Sequence, residues 1–209
     1  MHTIIFDLDD TLLFLSDKWF ETYNDFANKN QPNIPIKDLF YIIKQVEKDN
    51  SDKYITKKFL VDYINSELSL KLNEEKFNWL LEEYAKIPLL DMDTVKDVLS
   101  YLSSKYELIA YTNWFTDNQN LRLKLNGIDK YFSKVFGWDI LPVKPSKKGL
   151  EKIVGNNDVK DYTFIGDNID MDIKLPVYIG MNAIFYNHKN ITQNKYREIK
   201  NIAELKKLL

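Results

Sequence analysis

Three carboxylates directly follow the first apolar run of the chain, and they are its first candidates for chemistry. The run Thr3–Phe6 has the length and branching of a strand buried on both faces, and Asp7, Asp9 and Asp10 follow it. Asp7 and Asp9 are two residues apart, so extended geometry places their side chains on one face. Two carboxylates that converge at a buried strand end repel each other, and a hard divalent cation, most simply Mg²⁺, would relieve that repulsion. Taken alone, such a segment is more often a turn or a helix cap, here at Asp10-Thr11.

The apolar pattern along the chain predicts an α/β fold around these carboxylates. From residue 88 onward, strand-like runs alternate with helical stretches, which predicts a doubly wound, Rossmann-like parallel sheet with helices on both faces. The helix after Lys144 is expected to use Pro145 in its first turn. A closing helix is expected over residues 202–209, and strands are predicted at residues 3–6, 107–113, 134–137, 162–167 and 182–186.

Residues 15–87 show helical periodicity without a strand-like run. Apolar residues recur at helical spacing in four stretches, the first of which contains Trp19, Tyr23 and Phe26. We therefore predict an inserted all-helical domain at residues 15–87, and an α/β core domain formed by residues 1–14 and 88–209.

Composition narrows the class of protein. The 209 residues are 44% hydrophobic, and 29 basic against 31 acidic residues give a formal net charge of −2, which favours neither a nucleic-acid polymer nor an anionic membrane as partner. Cysteine is absent, which excludes a disulfide framework, a thiolate metal site and a Cys nucleophile. No signal peptide is expected, no apolar run approaches the roughly 18 residues of a membrane span, and a cytoplasmic monomer or homodimer is the expectation.

Polar residues also end or follow the later predicted strands. Thr112 and Asn113 follow one strand, Lys144 lies in a loop after the next, and Asp167 ends the fourth. In an open α/β sheet, ligands bind at the carboxyl ends of the strands, so these side chains are expected to meet Asp7 there.

Four sequence motifs in a fixed order resemble the haloacid dehalogenase (HAD) superfamily. They are FDLDDTL with Asp7 and Asp9, YTNW with Thr112, VKPSKKGL with Lys144, and IGDNIDMD with Asp167 and Asp172. The resemblance is closest to the phosphatase branch with a helical C1 cap, and within it to nucleotidase-like members.

The resemblance implies an aspartyl-phosphate mechanism that depends on Mg²⁺. Asp7 is the implied nucleophile, and Asp9 is the implied acid that protonates the leaving group and then the base that activates water. The Asp7 carboxylate, the Asp9 carbonyl and Asp167 are the implied magnesium ligands.

The other motif residues have supporting roles by the same resemblance. Thr112 and the Asn113 backbone are implied to bind the phosphate, and Lys144 to offset its charge. Asp172 is implied to orient Lys144 or a metal-bound water, while Asp170 is interpreted as a helix N-terminal carboxylate.

The predicted helical insertion resembles a cap that excludes water from the site. Such a cap implies a small phosphorylated substrate, a nucleoside monophosphate or a sugar phosphate, with specificity set in part by Phe14, Asp17 and Lys18. Trp114 and Phe115 either stack on the substrate or pack between insertion and core.

Three alternatives remain open at the level of sequence. The first is a phosphosugar mutase of the β-phosphoglucomutase type, the second a receiver-like signalling domain, and the third a non-catalytic relative kept for binding. Asp9 argues against halide displacement, because relatives with that activity lack an acid two residues after the nucleophile. His2 and His188 are interpreted as incidental.

Overall fold

The computed structural model describes residues 2–16, 18–30 and 34–209, with the backbone alone at positions 26 and 30. The strands are β1 (Thr3–Phe6), β2 (Phe14–Leu15), β3 (Leu89–Leu90), β4 (Glu107–Tyr111), β5 (Lys134–Phe136), β6 (Tyr162–Gly166), β7 (Asn182–Tyr186) and β8 (Glu198–Ile199). The α-helices are α1 (Trp19–Asn30), α2 (Ile36–Asp49), α3 (Lys57–Leu68), α4 (Glu74–Ala85), α5 (Met92–Ser103), α6 (Thr116–Leu125), α7 (Lys147–Val154), α8 (Lys174–Tyr178) and α9 (Leu205–Leu208). Short 3₁₀ turns cover Asp129–Tyr131, Val159–Asp161 and Ile202–Glu204, and a π-helical turn covers Ile169–Ile173.

Six strands form one parallel sheet in the order β5-β4-β1-β6-β7-β8, which confirms the predicted fold class. The chain builds outward from β1 in one direction through β4 and β5, and in the other through β6, β7 and β8. The order of strands therefore reverses beside β1, and a ligand crevice is expected at the carboxyl ends of β1, β4 and β6.

The alternation of side chains along β1 explains why the strand is apolar throughout. Ile4 and Phe6 face a core cluster that includes Val98 and Leu102 of α5, whereas Ile5 faces the other layer with Leu150 of α7. Both faces of the strand are thus covered by helices, as expected of a central strand in a parallel sheet.

Helices α1 to α4, which we call the helical insertion, lie between β2 and β3. Their apolar stripes share a separate core cluster with Trp114, Phe115 and Trp138, which follow strands of the sheet. Strands β2 and β3 pair antiparallel at the base of the insertion and were not predicted; two residues apiece are too short for a periodic signal.

The division into two domains is untested and stays a prediction. Asp17 and the side chain of Phe26 lie outside the described part of the chain.

The α2–α3 loop (residues 50–56) is bonded to the Lys144 loop (residues 137–146). The Asp52 N–H donates to the Val143 carbonyl over 2.9 Å, and the Val143 N–H donates back to the Lys53 carbonyl over 2.8 Å. The Ile55 N–H donates to the Trp138 carbonyl over 2.9 Å. These backbone bonds join the insertion to the sheet layer at a place separate from the paired strands β2 and β3.

One predicted helix boundary is wrong. Helix α7 begins at Lys147, because the Ser146 hydroxyl caps it by accepting the Gly149 N–H over 2.9 Å; Pro145 precedes the helix, in a cis peptide bond with Lys144. The closing helix expected at residues 202–209 is a 3₁₀ turn followed by α9. Strand β8 was also missed.

Within the described ranges, no helix combines the length and apolarity needed to cross a bilayer.

Gly149→Ala tests the packing beneath the Lys144 loop. A Cβ on Gly149 would overlap the buried Tyr111 hydroxyl, which donates to the Pro142 carbonyl in that loop. We expect overpacking to exceed the gain in helix propensity and to lower the free energy of unfolding by about 1–2 kcal/mol in urea denaturation. Lys147 is exposed and lies two residues before Gly149 in the same helix. The free energy of unfolding of Lys147→Ala should therefore stay within about 0.5 kcal/mol of that of the parent chain. Equal stability of the two variants would contradict the packing argument.

Candidate active site

Asp7 lies directly beyond β1 at the carboxyl edge of the sheet. Its N–H donates to the Ile165 carbonyl over 2.9 Å, so the strand pairing of β1 with β6 continues up to this residue. One carboxylate oxygen accepts the Lys144 ammonium over 2.6 Å, and the other accepts the Thr11 hydroxyl over 3.2 Å. The turn after it needs a left-handed residue, which Asp10 supplies with a φ of 59°.

Lys144 is buried between two carboxylates. Its ammonium donates to Asp7 over 2.6 Å and to Asp172 over 2.7 Å, and only 3% of the residue is exposed. Gly166 leaves room for Asp172, since a Cβ at that position would overlap the Asp172 carboxylate. The contact of Asp172 with Lys144 matches the predicted placement.

Asp167 completes a cluster of three carboxylates. Oxygens of Asp7, Asp167 and Asp172 all lie within 4.8 Å of one another, which is a donor set suited to a hard cation. The Lys189 ammonium lies 2.8 Å from Asp167 and 3.4 Å from Asp10, and the His188 imidazole lies 3.6 Å from Asp167. His188 therefore lies beside the cluster, whereas His2 bonds to Thr163, away from it; the interpretation of both as incidental stays a prediction.

Burial and mutual repulsion disfavour charge on these carboxylates. Burial raises the pKa of Asp7 to about 7; the Lys144 ammonium opposes the shift and the Asp172 carboxylate adds to it. Burial likewise raises the pKa values of Asp167 and Asp172. Burial disfavours the Lys144 ammonium, but Asp172 and Asp7 outweigh it and hold the pKa of Lys144 above its usual range. A further positive charge beside these three carboxylates would therefore stabilise their charged forms.

Thr112 and Asn113 follow β4 at the same edge. The buried Thr112 hydroxyl accepts the Gln119 amide over 3.0 Å. The Asn113 side chain accepts the Lys144 N–H over 2.7 Å and donates to the Glu47 carboxylate on α2 over 2.9 Å. Asn113 thus fixes the Lys144 loop and ties it to the helical insertion, a use of its side chain that sequence reasoning missed.

Asp9 is held by two side chains of α6. The Arg122 guanidinium donates to one of its oxygens over 2.5 Å, and the Gln119 amide donates to the other over 2.7 Å. Neither residue was among the predicted site residues. The available signal was a Gln and an Arg three residues apart, on one face of the helix that follows the YTNW motif.

A cavity of about 640 Å³ joins this edge of the sheet to the helical insertion. Asp7, Asp9, Thr112, Lys144 and Asp167 lie on its wall. The helical insertion contributes aromatic, apolar and charged residues to the lining, namely Trp19, Phe40, Ile43, Lys44, Glu47 and Tyr84, and Trp114 lines the cavity next to Asn113. This volume is within the range of small-molecule sites.

Trp114 and Phe115 are not an exposed pair. They are 7% and 1% exposed, and both pack in the core cluster of the insertion. The Trp114 indole donates to Asn118 over 2.7 Å, and Asn118 donates to the Leu81 carbonyl of α4. Packing between insertion and sheet layer therefore explains both aromatic residues, although Trp114 also lines the cavity.

The structure thus brings the predicted residues together at one edge. Asp7, Asp9, Thr112, Asn113, Lys144, Asp167 and Asp172 all line the cavity. Their chemical roles are not tested by this placement. Of the predicted specificity residues, Phe14 packs edge-on against Tyr186 and His188, and Lys18 is exposed.

Comparison with known proteins defines the class of this chain. A family model described as a haloacid dehalogenase-like hydrolase matches residues 1–176, so the chain belongs to that hydrolase family. Family membership removes the receiver-like alternative, which would also place the reactive Asp after the third strand.

Two relatives and two solved structures are similar to most of this chain. The pyrimidine 5'-nucleotidase PynA of Streptococcus pneumoniae is 29% identical over 88% of this chain and 83% of its own length. The HAD-hydrolase YfnB of Bacillus subtilis is 25% identical over 89% of this chain and 84% of its own length. A magnesium-bound structure of YfnB superposes with a TM-score of 0.77 at 22% identity, covering 99% of this chain and 97% of that one. A 2-haloacid dehalogenase from Pseudomonas syringae superposes with a TM-score of 0.73 at 21% identity, covering 100% and 97%. At these identities the two superpositions establish the fold.

The carboxylate cluster predicts how the stability of the metal-free chain depends on pH. Because folding raises the pKa values of Asp7, Asp167 and Asp172, the folded state binds more protons than the unfolded state between about pH 4 and pH 7. The contribution of these groups to the free energy of unfolding therefore falls as the pH rises through this window. Denaturation curves recorded in EDTA across the window measure it.

Two variants assign the effect to the cluster. Asp7→Asn should make the fall shallower, whereas Asp170→Asn, which changes an exposed carboxylate on the neighbouring turn, should leave it in place. A fall of equal steepness in Asp7→Asn and the parent chain would show that Asp7 does not contribute to it.

Proposed function

We propose that this chain is a Mg²⁺-dependent phosphomonoester hydrolase for small metabolites, with nucleoside 5'-monophosphates as the leading substrates. The observation that carries the proposal is the environment of Asp7. Its carboxylate is fixed by Lys144 and Thr11 at the carboxyl end of β1 and faces a cavity large enough for a nucleotide. A carboxylate held in this way is a suitable nucleophile toward phosphorus.

The donor set fits a magnesium ion. Three carboxylates supply hard oxygen ligands, and because burial raises their pKa values, a nearby divalent cation would stabilise their charged forms. Asp7 and Asp167 would hold the metal, with the Asp9 carbonyl as the further ligand expected from the sequence. When bound, Mg²⁺ supplies positive charge that neutralises the transferring phosphoryl group. Lys189, which now contacts Asp167, would compete with the metal for that carboxylate.

The chain's own residues divide the chemistry into two displacements. In the first, an Asp7 oxygen bonds to phosphorus, the bond to the leaving oxygen breaks, and the Asp9 carboxyl gives that oxygen its proton. In the second, the Asp9 carboxylate takes a proton from water, the water oxygen bonds to phosphorus, and the bond to Asp7 breaks. Lys144 offsets negative charge beside Asp7, and the Thr112 hydroxyl lies on the cavity wall where it can donate to a phosphate oxygen.

Two observations support a nucleotide as substrate. The PynA relative is a pyrimidine 5'-nucleotidase by name, and it is similar to this chain over most of both lengths. Trp19, Phe40 and Tyr84 of the helical insertion line the same cavity as Asp7, where a base or sugar can pack against aromatic surface. A cavity enclosed by the helical insertion also favours small substrates over proteins.

A phosphate-release screen with Mg²⁺ over nucleoside monophosphates, sugar phosphates and short-chain phosphoesters tests the proposal. We expect release that EDTA abolishes and Mg²⁺ restores, and a loss of at least about 10³-fold in Asp7→Asn because the nucleophile is gone. Asp170→Asn, an exposed carboxylate outside the cavity, serves as the matched control. Full activity in Asp7→Asn would refute the nucleophile. Isomerised hexose phosphate without free phosphate would favour the phosphosugar mutase. Inactivity on every compound would favour a non-catalytic relative kept for binding.

A burst experiment with 4-nitrophenyl phosphate separates the two roles of Asp9. Because 4-nitrophenolate leaves without needing a proton, Asp9→Asn should still form the phospho-Asp7 species but should not hydrolyse it. Rapid mixing is then expected to show about one equivalent of 4-nitrophenolate followed by a much slower steady state. A steady state as fast as that of the parent chain would show that Asp9 is not the base.

A further inference from the structure

Two buried side chains of α6 form a bracket around the Asp9 carboxylate. The Arg122 guanidinium reaches one oxygen over 2.5 Å, and the Gln119 amide reaches the other over 2.7 Å. The two side chains also bond to each other, since the same Arg122 nitrogen donates to the Gln119 carbonyl over 2.9 Å. The Gln119 amide further donates to the Thr112 hydroxyl over 3.0 Å, so one residue contacts both Asp9 and Thr112.

Burial distinguishes this bracket from an ordinary surface ion pair. Arg122 and Gln119 are 1% and 0% exposed, whereas 41% of the Asp9 side chain is exposed and lines the cavity. Burying a guanidinium is costly unless its partners are well placed, and its second terminal nitrogen has no hydrogen-bond partner among the described residues. A hydrophobic residue would fill this space at a lower free-energy cost. Packing alone therefore does not account for Arg122, whereas its contact with Asp9 can.

The helical insertion covers the bracket from the other side. The Arg122 guanidinium lies over the Tyr84 ring of α4, 5.0 Å from its centre. A guanidinium stacked on an aromatic face has little freedom to rotate, and its planar fork then presents donors in a fixed direction. Tyr84 also lines the cavity. The surroundings of the bracket are therefore formed jointly by the insertion and the sheet layer.

We propose that Arg122 and Gln119 are positioning residues that fix the Asp9 carboxyl for proton transfer at the leaving oxygen of the substrate. The inference rests on the proposed phosphatase function and deepens it. Each Asp9 oxygen has two acceptor directions, and the bracket uses one on each oxygen. The remaining directions are left for the transferred proton, which moves from Asp9 to the leaving oxygen as the phosphorus–oxygen bond breaks.

Leaving-group dependence separates positioning from a merely structural role. We would measure kcat/KM, which reports formation of the phospho-Asp7 species, for a series from 4-nitrophenyl phosphate to phenyl phosphate and a nucleoside monophosphate. In Gln119→Leu and Arg122→Lys we expect losses of about 10–100-fold for the alkoxide leaving group and less than about 3-fold for 4-nitrophenolate, which needs no proton. Lys124→Gln, which removes an exposed cation from the same helix, should leave the series unchanged.

The outcomes separate the two hypotheses. A loss that is uniform across the series, or no loss in either variant, overturns the positioning role while leaving the phosphatase function intact. Absence of phosphate release by the parent chain with every compound refutes the proposed function itself. Gln119→Leu replaces an uncharged side chain and keeps the test decisive if Arg122→Lys fails to fold, which circular dichroism and a denaturation curve detect.

Discussion

The site depends on one buried ammonium group shared by two carboxylates. Lys144 lies between Asp7 and Asp172, which follow different strands, and it draws together groups that would otherwise repel each other. Three features maintain that position: a glycine that leaves room for Asp172, an asparagine that bonds to the Lys144 backbone, and a helix that is capped just after it. Removal of one member would leave buried charge without a partner, which is far costlier than loss of a surface ion pair.

The parallel sheet and the edge that carries the site could be predicted from sequence because their signals are local and repeated. Strand β1 is an uninterrupted apolar run ended by Asp7, and β6 is ended in the same way by Asp167. A parallel sheet places such ends side by side whatever their separation along the chain. The motif order then added Thr112 and Lys144, which no periodic pattern identifies on its own.

The remaining features depend on contacts between distant segments, which a single sequence does not specify. The spacing of Gln119 and Arg122 on α6 does not by itself separate a buried face from a solvated one, and both are buried because Asp9 and Tyr84 contact them. Strands β2, β3 and β8 have two residues each, below any detectable period. Trp114 was left between stacking on a substrate and packing, and only the partners it meets on α4 and α6 decide for packing.

The backbone bonds between the α2–α3 loop and the Lys144 loop limit how the cavity can open. Two of the places where helices α1 to α4 are anchored are the strand pair β2–β3 and the reciprocal bonds of Val143 with residues 52 and 53, in addition to the side-chain contacts described above. A rigid swing about the first anchor alone would rupture the second or pull on the segment that carries Lys144. Admission of a substrate by such a swing would therefore either break the bonds of Val143 or shift the segment beside Lys144, whose ammonium is the counterion of Asp7.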